Sequence, residues 1–198
     1  MARRIVSDRC FGVVIDVQEF FLAQLGNRTL RSKIEANLLS FARLLGYFRI
    51  PIIATLERPV VRKGRLPQHL KKLGELAELF EKDFFDLTKE KKITDRIAGL
   101  ERAQALVAGC ETDVCVLQSC LGLLDLGYEV FVVEDLLFSS SRNVDAAIAR
   151  MKGEGAVFIS YKTLFYELVE AVEGGRHAER MIAAHGPFPD DLPDSARR

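Results

Sequence analysis

The stretch FGVVID, residues 11–16, is a short run of apolar residues that ends in a carboxylate. Four later segments have a similar length and the same continuous apolar character: residues 51–56, 105–110, 129–133 and 156–160. Continuous apolar runs of this length are typical of strands that are buried on both faces, as in parallel sheets. The sequence therefore predicts an open sheet of mostly parallel strands.

Amphipathic patterns lie between these runs and predict helices. Gly127 and Gly155 are expected to end two of the helices, because glycine readily adopts the left-handed conformation at a helix C-terminus. Strands that alternate with helices predict an α/β fold with a doubly wound sheet. The helical patterns cover residues 30–48, 114–126, 144–151 and 163–172.

The composition is that of an ordinary globular domain. The chain has 198 residues, of which 48% are hydrophobic, and its 28 basic residues balance its 28 acidic residues. This balance predicts no binding to nucleic acid or to anionic membrane surfaces. No apolar run approaches the roughly 20 residues that span a bilayer. The four cysteines form no secreted disulfide pattern, so we expect a soluble, cytoplasmic protein with free thiols.

Two segments are expected to lie outside the core. Residues 58–72 are basic and broken by proline and glycine, which predicts a surface loop, with an active-site lid or anion contact as the alternative. An amphipathic stretch follows at residues 73–80. The polar, proline-broken end predicts a mobile tail at residues 186–198, after a single domain over residues 1–185.

Ligands of open parallel sheets bind outside the carboxyl ends of the strands. One predicted strand ends at Asp16, another at Glu57, and a third runs into GCETDVCV, residues 109–116. Thr112 is expected to cap a helix whose opening turn carries Cys115, where the helix end would stabilise a thiolate. Asp16 is well placed as a general base. From these residues alone, two alternatives to catalysis stay open: a packing role for the cysteine and a turn-capping role for the aspartate.

Other reactive side chains give weaker signals. Lys82 lies among acidic and aromatic residues, a pattern that by itself favours a solvated side chain. Cys110 and Cys120 stand five residues either side of Cys115, which matches no common zinc spacing, so we expect two buried thiols. The histidines lack the spacing of a helical metal pair and are expected at the surface: His69, His177 and His185.

Three segments together resemble the isochorismatase-like cysteine hydrolases in content and in order. They are DVQ at residues 16–18, EKDFF at residues 81–85 and GCETDVCV at residues 109–116. The similarity extends over roughly residues 10–172. The resemblance implies a three-layer α/β/α fold and, as in relatives, a homo-oligomer that is a dimer or larger.

The resemblance assigns catalytic roles to Asp16, Lys82 and Cys115, which match the family's Asp, Lys and Cys. It implies that the Cys115 thiolate attacks an amide, ureido or related carbonyl to form an acyl-enzyme. Asp16 would move the proton, and Lys82 would favour the thiolate. The resemblance also implies a cis peptide bond between Cys110 and Glu111, and an oxyanion hole made by the amides of Glu111 and Cys115.

Departures from the family pattern narrow the expected chemistry. Nicotinamidases carry an Asp and two His as metal ligands around the second strand, where this chain has TLERP at residues 55–59. The resemblance therefore implies a metal-independent enzyme without a cofactor. Enzymes that cleave isochorismate lack the cysteine, so that substrate is not expected. Four residues are expected to line a pocket for a small-molecule substrate: Phe20, Glu57, Phe84 and Phe138.

The leading prediction is a hydrolase of carbon–nitrogen bonds in a small molecule. The alternative is a catalytically silent binding or scaffold protein on the same fold, or one in which Cys115 responds to oxidation. A Rossmann-type nucleotide binder suits the alternating pattern. We set it aside because no Gly-x-Gly-x-x-Gly loop follows the first strand.

Overall fold

A six-stranded sheet forms the centre of the protein in a computed structural model, which describes residues 3–170, Glu179, Arg180 and Ala183. All pairings between neighbouring strands are parallel, in the order β3-β2-β1-β4-β5-β6. The predicted tail, residues 186–198, lies outside the described residues, as do His177 and His185. The strands are β1 (Cys10–Ile15), β2 (Ile52–Glu57), β3 (Ala77–Lys82), β4 (Gln104–Gly109), β5 (Glu129–Leu137) and β6 (Val157–Ile159).

Helices connect the strands, and none in the described part of the chain is long and apolar enough to cross a membrane. Gly127 and Gly155 follow two helices with φ of 87° and 108°, which confirms them as helix stops. The helices are α1 (Glu19–Ala23), α2 (Arg28–Tyr47), α3 (Val60–Lys63), α4 (Lys71–Leu76), α5 (Lys91–Ala98), α6 (Leu117–Asp125), α7 (Asp145–Gly153) and α8 (Tyr161–Val169).

Two apolar cores lie on opposite faces of the sheet. Successive residues of a strand point to opposite faces, and every residue of β1 is buried. Val14 therefore packs into one core with residues of α2, α4 and α8, whereas Val13 packs into the other with residues of α5, α6 and α7. This arrangement confirms the three-layer α/β/α fold with a parallel sheet between the helices.

The edge strand β3 is the element that the sequence patterns missed. Residues 73–80 form one amphipathic stretch in the sequence, but the structure divides them between the end of α4 and the start of β3. Glu78 and Leu79 are exposed because β3 has a neighbour on one side only. An edge strand of this kind has no continuous apolar run, so the pattern that revealed the buried strands could not reveal it.

The strand order places a topological switch point between β1 and β4, which are paired neighbours. The connection from β1 leads to β2 on one side, whereas the connection from β4 leads to β5 on the other. In such sheets a crevice opens at the carboxyl ends of the strands that flank the switch point. The ends of β1, β2 and β3 carry Asp16, Glu57 and Lys82, and the segment after β4 carries Cys115. The fold thus brings all four residues to one edge.

Gly109, at the end of β4, packs closely against the backbone of Ile15 at the end of β1. Its φ is +119°, and a Cβ atom built on it would overlap the backbone carbonyl oxygen of Ile15. The backbone of Ile15 cannot move aside as a flexible side chain could. We therefore expect Gly109→Ala to lower the free energy of unfolding by roughly 2–4 kcal/mol. Urea denaturation followed by circular dichroism measures this change.

Gly153 in α7 provides the matched control, because nothing lies within 4 Å of a Cβ atom built on it. Gly153→Ala should leave the free energy of unfolding within about 1 kcal/mol of the parent value, or raise it. Equal urea midpoints for Gly109→Ala and the parent chain would contradict the packing described for this strand end.

Candidate active site

A buried ion pair between Lys82 and Asp16 lies at the centre of the site. Lys82 is the last residue of β3 and lies in register with Glu57, and its side chain is fully buried. Its Nζ atom lies 2.7 Å from Oδ2 of Asp16 and donates to the carbonyl oxygen of Phe84 at 3.1 Å. The solvated lysine favoured by the surrounding sequence is therefore wrong, because acidic groups from neighbouring strands supply the countercharge.

Asp16 is held in an uncommon backbone conformation directly after β1. Its φ is 50°, and its Oδ1 atom accepts a hydrogen bond of 2.8 Å from Oγ1 of Thr55. Oδ2 accepts no aligned hydrogen bond from the described residues, although it contacts Lys82 in the ion pair. Burial raises the pKa of Asp16 above its usual range, against the opposing effects of Lys82, Thr55 and Cys115. Burial thus increases the affinity of this carboxylate for a proton.

Cys115 lies in a single π-helical turn, Thr112–Val116, that precedes α6. The backbone amide and Oγ1 of Thr112 both donate to the carbonyl oxygen of Phe138, at 3.1 and 3.0 Å. The N-cap residue is Glu111, and its side chain makes no capping bond. The expectation that Thr112 caps the helix is therefore wrong, because this side chain ties the turn to the end of β5.

The Cys115 thiol donates a hydrogen bond of 3.1 Å to Oε2 of Glu57 and is 2% exposed as a residue. Burial raises the pKa of Cys115, and the charge of Asp16 raises it further; Lys82 opposes both, and Glu57 adds to the increase. The expectation of a thiolate at Cys115 is therefore wrong, because burial and two carboxylates outweigh one ammonium group.

Glu57, expected only as a pocket wall, is a member of the charged cluster. Its side chain forms an ion pair with Lys63 of α3, and its Oε2 lies 3.8 Å from Nζ of Lys82. Burial would raise the pKa of Glu57, but Lys63, the thiol of Cys115 and Lys82 together lower it. At neutral pH, Glu57 is therefore an ionised carboxylate that accepts the thiol proton in a hydrogen bond.

Sequence reasoning gave no role to three residues that hold the cluster: Thr55, Gln18 and Lys63. Gln18 accepts from the amide of Glu57 at 2.7 Å and donates to the carbonyl oxygens of Glu57 and Gly64, at 3.2 and 2.7 Å. It thereby joins the ends of β1 and β2 to the following loop. For Gln18, its position in the DVQ motif was a sequence signal for a role in the site. For Lys63, which lies in a run of basic residues, there was no such signal.

The other expected site features are one cis peptide bond and three phenylalanines, which differ in how exposed they are. A cis peptide bond joins Cys110 and Glu111, as the resemblance implied. Phe20 and Phe84 are half exposed, at 47% and 50%, on segments that follow β1 and β3. Phe138 is buried in the apolar core that also contains residues of α2 and α8, so its ring has a packing role.

The remaining thiols and the described histidine follow the sequence prediction. Cys110 and Cys120 are fully buried, and burial raises the pKa of both thiols, to about 12 for Cys120. His69 is half exposed and lies 2.8 Å from Glu35. None of these residues lies in the cluster formed by Asp16, Glu57, Lys82 and Cys115.

Three potential metal ligands meet in this cluster. One ligand atom each from Asp16, Glu57 and Cys115 lies within 4.8 Å of the other two. The ammonium group of Lys82 contacts the same two carboxylates, at 2.7 and 3.8 Å, and supplies the positive charge between them. In this cluster the ammonium group of Lys82 thus provides the positive charge that a metal ion would otherwise provide.

Comparison with known proteins extends over most of the chain. A family model described as "Isochorismatase domain" matches residues 11–163. A secreted isochorismatase effector of Phytophthora sojae is 31% identical over 161 residues, which cover 78% of this chain and 74% of that protein.

Solved structures show the same fold. YcaC of Pseudomonas aeruginosa, described with hexane-2,5-diol and covalent acrylamide, has a TM-score of 0.85 and 23% identity, covering 100% of this chain and 99% of that chain. YcaC of Escherichia coli, described as an octameric hydrolase of unknown specificity, has a TM-score of 0.85 and 21% identity, covering 100% and 98%. At these identities the two structures support the fold.

Removal of the buried ammonium group should leave Asp16 as an uncompensated buried charge. We expect Lys82→Met to lower the free energy of unfolding by about 3–5 kcal/mol, and Asp16→Asn to restore much of this loss when added to it. Urea denaturation of the two single variants and the double variant measures the coupling. Lys92→Met, on the exposed surface of α5, is the control and should change stability little.

The stability of Lys82→Met should also depend on pH. Burial raises the folded-state pKa of Asp16, so the folded chain binds this proton more tightly than the unfolded chain does. Protonation of Asp16 therefore stabilises the folded variant fully below the unfolded pKa of about 3.9, and this stabilisation is lost as the pH rises through the folded-state pKa. The free energy of unfolding of Lys82→Met should thus fall as the pH rises. A stability that rises between pH 4 and pH 7 in this variant would contradict the assignment.

Proposed function

The chain belongs to the isochorismatase family, whose members are hydrolases, and on that premise we propose that it hydrolyses a carbon–nitrogen bond of a small molecule through an acyl-enzyme on Cys115. The observation that supports this chemistry is the buried cluster of a thiol, a carboxylate and an ammonium group. Such a set can move a proton from a nucleophile to a leaving group without help from solvent.

In the first half of the proposed reaction, Asp16 takes the proton of the Cys115 thiol, and the sulfur attacks the carbonyl carbon of the substrate. The carbonyl electron pair moves to the oxygen and forms a tetrahedral oxyanion. When this intermediate collapses, the carbon–nitrogen bond breaks, and the nitrogen receives the proton from Asp16. The products of this half are a free amine or ammonia and a thioester on Cys115.

In the second half, Asp16 takes a proton from a water molecule, whose oxygen attacks the thioester carbon. Collapse of the second tetrahedral intermediate breaks the carbon–sulfur bond and releases a carboxylic acid. The sulfur then recovers its proton from Asp16. Lys82 keeps the aspartate oriented through the 2.7 Å ion pair, and its charge offsets negative charge on the sulfur.

Backbone amides of the nucleophile turn are the proposed oxyanion hole. Glu111 follows the cis peptide bond, and its carbonyl oxygen accepts from the amides of Val114 and Val116, at 3.1 and 3.0 Å. These bonds fix the turn that carries the amides of Glu111 and Cys115. Donors that are preorganised in this way stabilise a developing oxyanion by several kcal/mol.

The half-exposed rings of Phe20 and Phe84 are proposed as walls of the substrate entrance, and Glu57 as a polar group beside the nucleophile. A metal-independent reaction fits a cluster whose central cation is Lys82. A homo-oligomer is also proposed, with support from the octameric state described for the related fold of Escherichia coli. The cytoplasmic location stays a prediction.

A catalytically silent protein is the second candidate, and one observation favours it. The Cys115 thiol is buried, its pKa is raised, and it donates to a carboxylate, which together are the properties of an unreactive cysteine. The two candidates differ in whether a covalent adduct with an amide substrate ever forms.

Intact-protein mass spectrometry after rapid acid quenching tests the proposal directly. With a library of small primary amides, ureides and carbamoyl compounds, we expect a mass increase equal to the acyl group on the parent chain and none on Cys115→Ala. Asp16→Asn should lower the rate of product formation by about 10²- to 10⁴-fold, because proton transfer then lacks its base. Turnover should rise with pH on the acidic limb, where Asp16 must lose its proton.

Cys120→Ala is the matched control, because this thiol is also fully buried but lies outside the cluster. It should form the same adduct at a similar rate. If no compound in the library produces an adduct, and acrylamide modifies Cys115 no faster than it modifies Cys120, the hydrolase proposal fails and the silent protein is the better description.

A further inference from the structure

The Cys115 thiol forms a hydrogen bond with Glu57, which lies beside the proposed base Asp16. This hydrogen bond of 3.1 Å goes to Oε2 of Glu57, at the end of β2, while Oδ2 of Asp16 has no aligned donor. The two carboxylates and the sulfur lie within 4.8 Å of one another, and a side-chain hydrogen bond from Cys115 also acts on the pKa of Asp16, so both carboxylates lie within reach of the thiol. Glu57 and Asp16 therefore compete for one proton.

Lys63 is the second partner of Glu57 and comes from a different part of the chain. It ends α3, inside the basic segment of residues 58–72, and its side chain is 19% exposed. It pairs with Oε1 of Glu57, whereas the thiol uses Oε2. An ammonium group on one oxygen draws electron density from the other, so it weakens the bond to the thiol.

The basic segment is fastened to the site by contacts that do not involve Lys63. Gln18 donates to the carbonyl oxygen of Gly64 at 2.7 Å, and His69 lies 2.8 Å from the buried carboxylate of Glu35 on α2. Arg58 pairs with Glu81, at 3.2 Å, across the end of β3. The position of Lys63 thus depends on the docking of the whole segment.

We propose that Glu57 holds the Cys115 thiol in the resting site and that Lys63 limits this hold, so that docking of residues 58–72 prepares the nucleophile. Glu57 and Lys63 are positioning residues: they set how readily the thiol gives its proton to Asp16. This inference rests on the proposed function for its biological meaning. Its physical content concerns one thiol and two charges, and it can be tested without a substrate.

Four charged groups set the acidity of this thiol. Asp16 after β1 and Glu57 on β2 oppose its ionisation, Lys82 on β3 favours it, and Lys63 acts through Glu57. From the turn itself, the neighbouring thiol of Cys110 has a raised pKa and is protonated at neutral pH. Because Glu57 and Lys63 have opposite charges, their removal should move the ionisation of Cys115 in opposite directions.

The test is the pH dependence of iodoacetamide alkylation at Cys115, localised by fragment-ion mass spectrometry on the folded full-length chain. Glu57→Gln should shift the midpoint of this profile to lower pH by about one unit or more, giving about tenfold faster alkylation below the midpoint. Lys63→Met should shift the midpoint to higher pH and slow alkylation several-fold. Lys63→Arg keeps the charge and should restore the parent profile.

The double variant carries the sharpest expectation. If Lys63 acts through Glu57, Lys63→Met should have little effect in the Glu57→Gln background. A Lys63→Met variant with the parent profile would overturn the inference, as would a Lys63 effect of equal size with and without Glu57. Circular dichroism at each pH establishes that the variants are folded.

The matched control uses the same surroundings. Arg62→Met removes an exposed positive charge next to Lys63. It should keep the parent profile. If Asp16→Asn moves the profile but Glu57→Gln does not, the inference fails and the hydrolase proposal stands. If Glu57 and Lys63 behave as expected but no acyl-enzyme forms, the hydrolase proposal fails alone.

Discussion

The ion pair between Lys82 and Asp16 is the interaction on which the arrangement of the site depends. It joins the edge strand β3 to the central strand β1 across β2, with both side chains fully buried. Two charges removed from water stabilise a fold little or not at all, whereas one such charge without its partner is strongly destabilising. The pair therefore imposes a condition on the fold: β3 has to end in register with β2 so that Lys82 lies beside Glu57 and reaches Asp16.

Apolar patterns in the sequence predicted the strands that are buried along their whole length. The strands β1, β2 and β4 are buried along their length, so their apolar runs in the sequence revealed them. The edge strand β3 is half exposed and carries Lys82, so neither the strand nor the burial of the lysine had a signal in its own residues. Only the resemblance to a family pointed to Lys82, because a buried charge is decided by partners from distant segments.

The acidity of Cys115 shows the same limit. Local sequence indicated a cysteine near a helix start, where the end of a helix acts as about half a positive charge. The structure adds the carboxylates of Asp16 and Glu57 from two other strands, each a full negative charge, and removes water. Burial, Asp16 and Glu57 together outweigh the ammonium group of Lys82, so the thiol keeps its proton. Local patterns identified the candidate nucleophile but could not determine its protonation.

A thiol with a raised pKa is compatible with catalysis, because the proton need not leave the site. Transfer from Cys115 to Asp16 converts a thiol and a carboxylate into a thiolate and a carboxyl group, so the net charge of the buried cluster stays constant. Loss of the same proton to solvent adds a buried negative charge, which burial opposes. The same burial raises the pKa of Asp16 and so favours it as the acceptor. Titration by bulk pH and activation by a neighbouring base are therefore different processes in this site. Glu57 affects both, because it holds the proton in the resting state, and a substrate that displaces this hydrogen bond would direct the proton to Asp16.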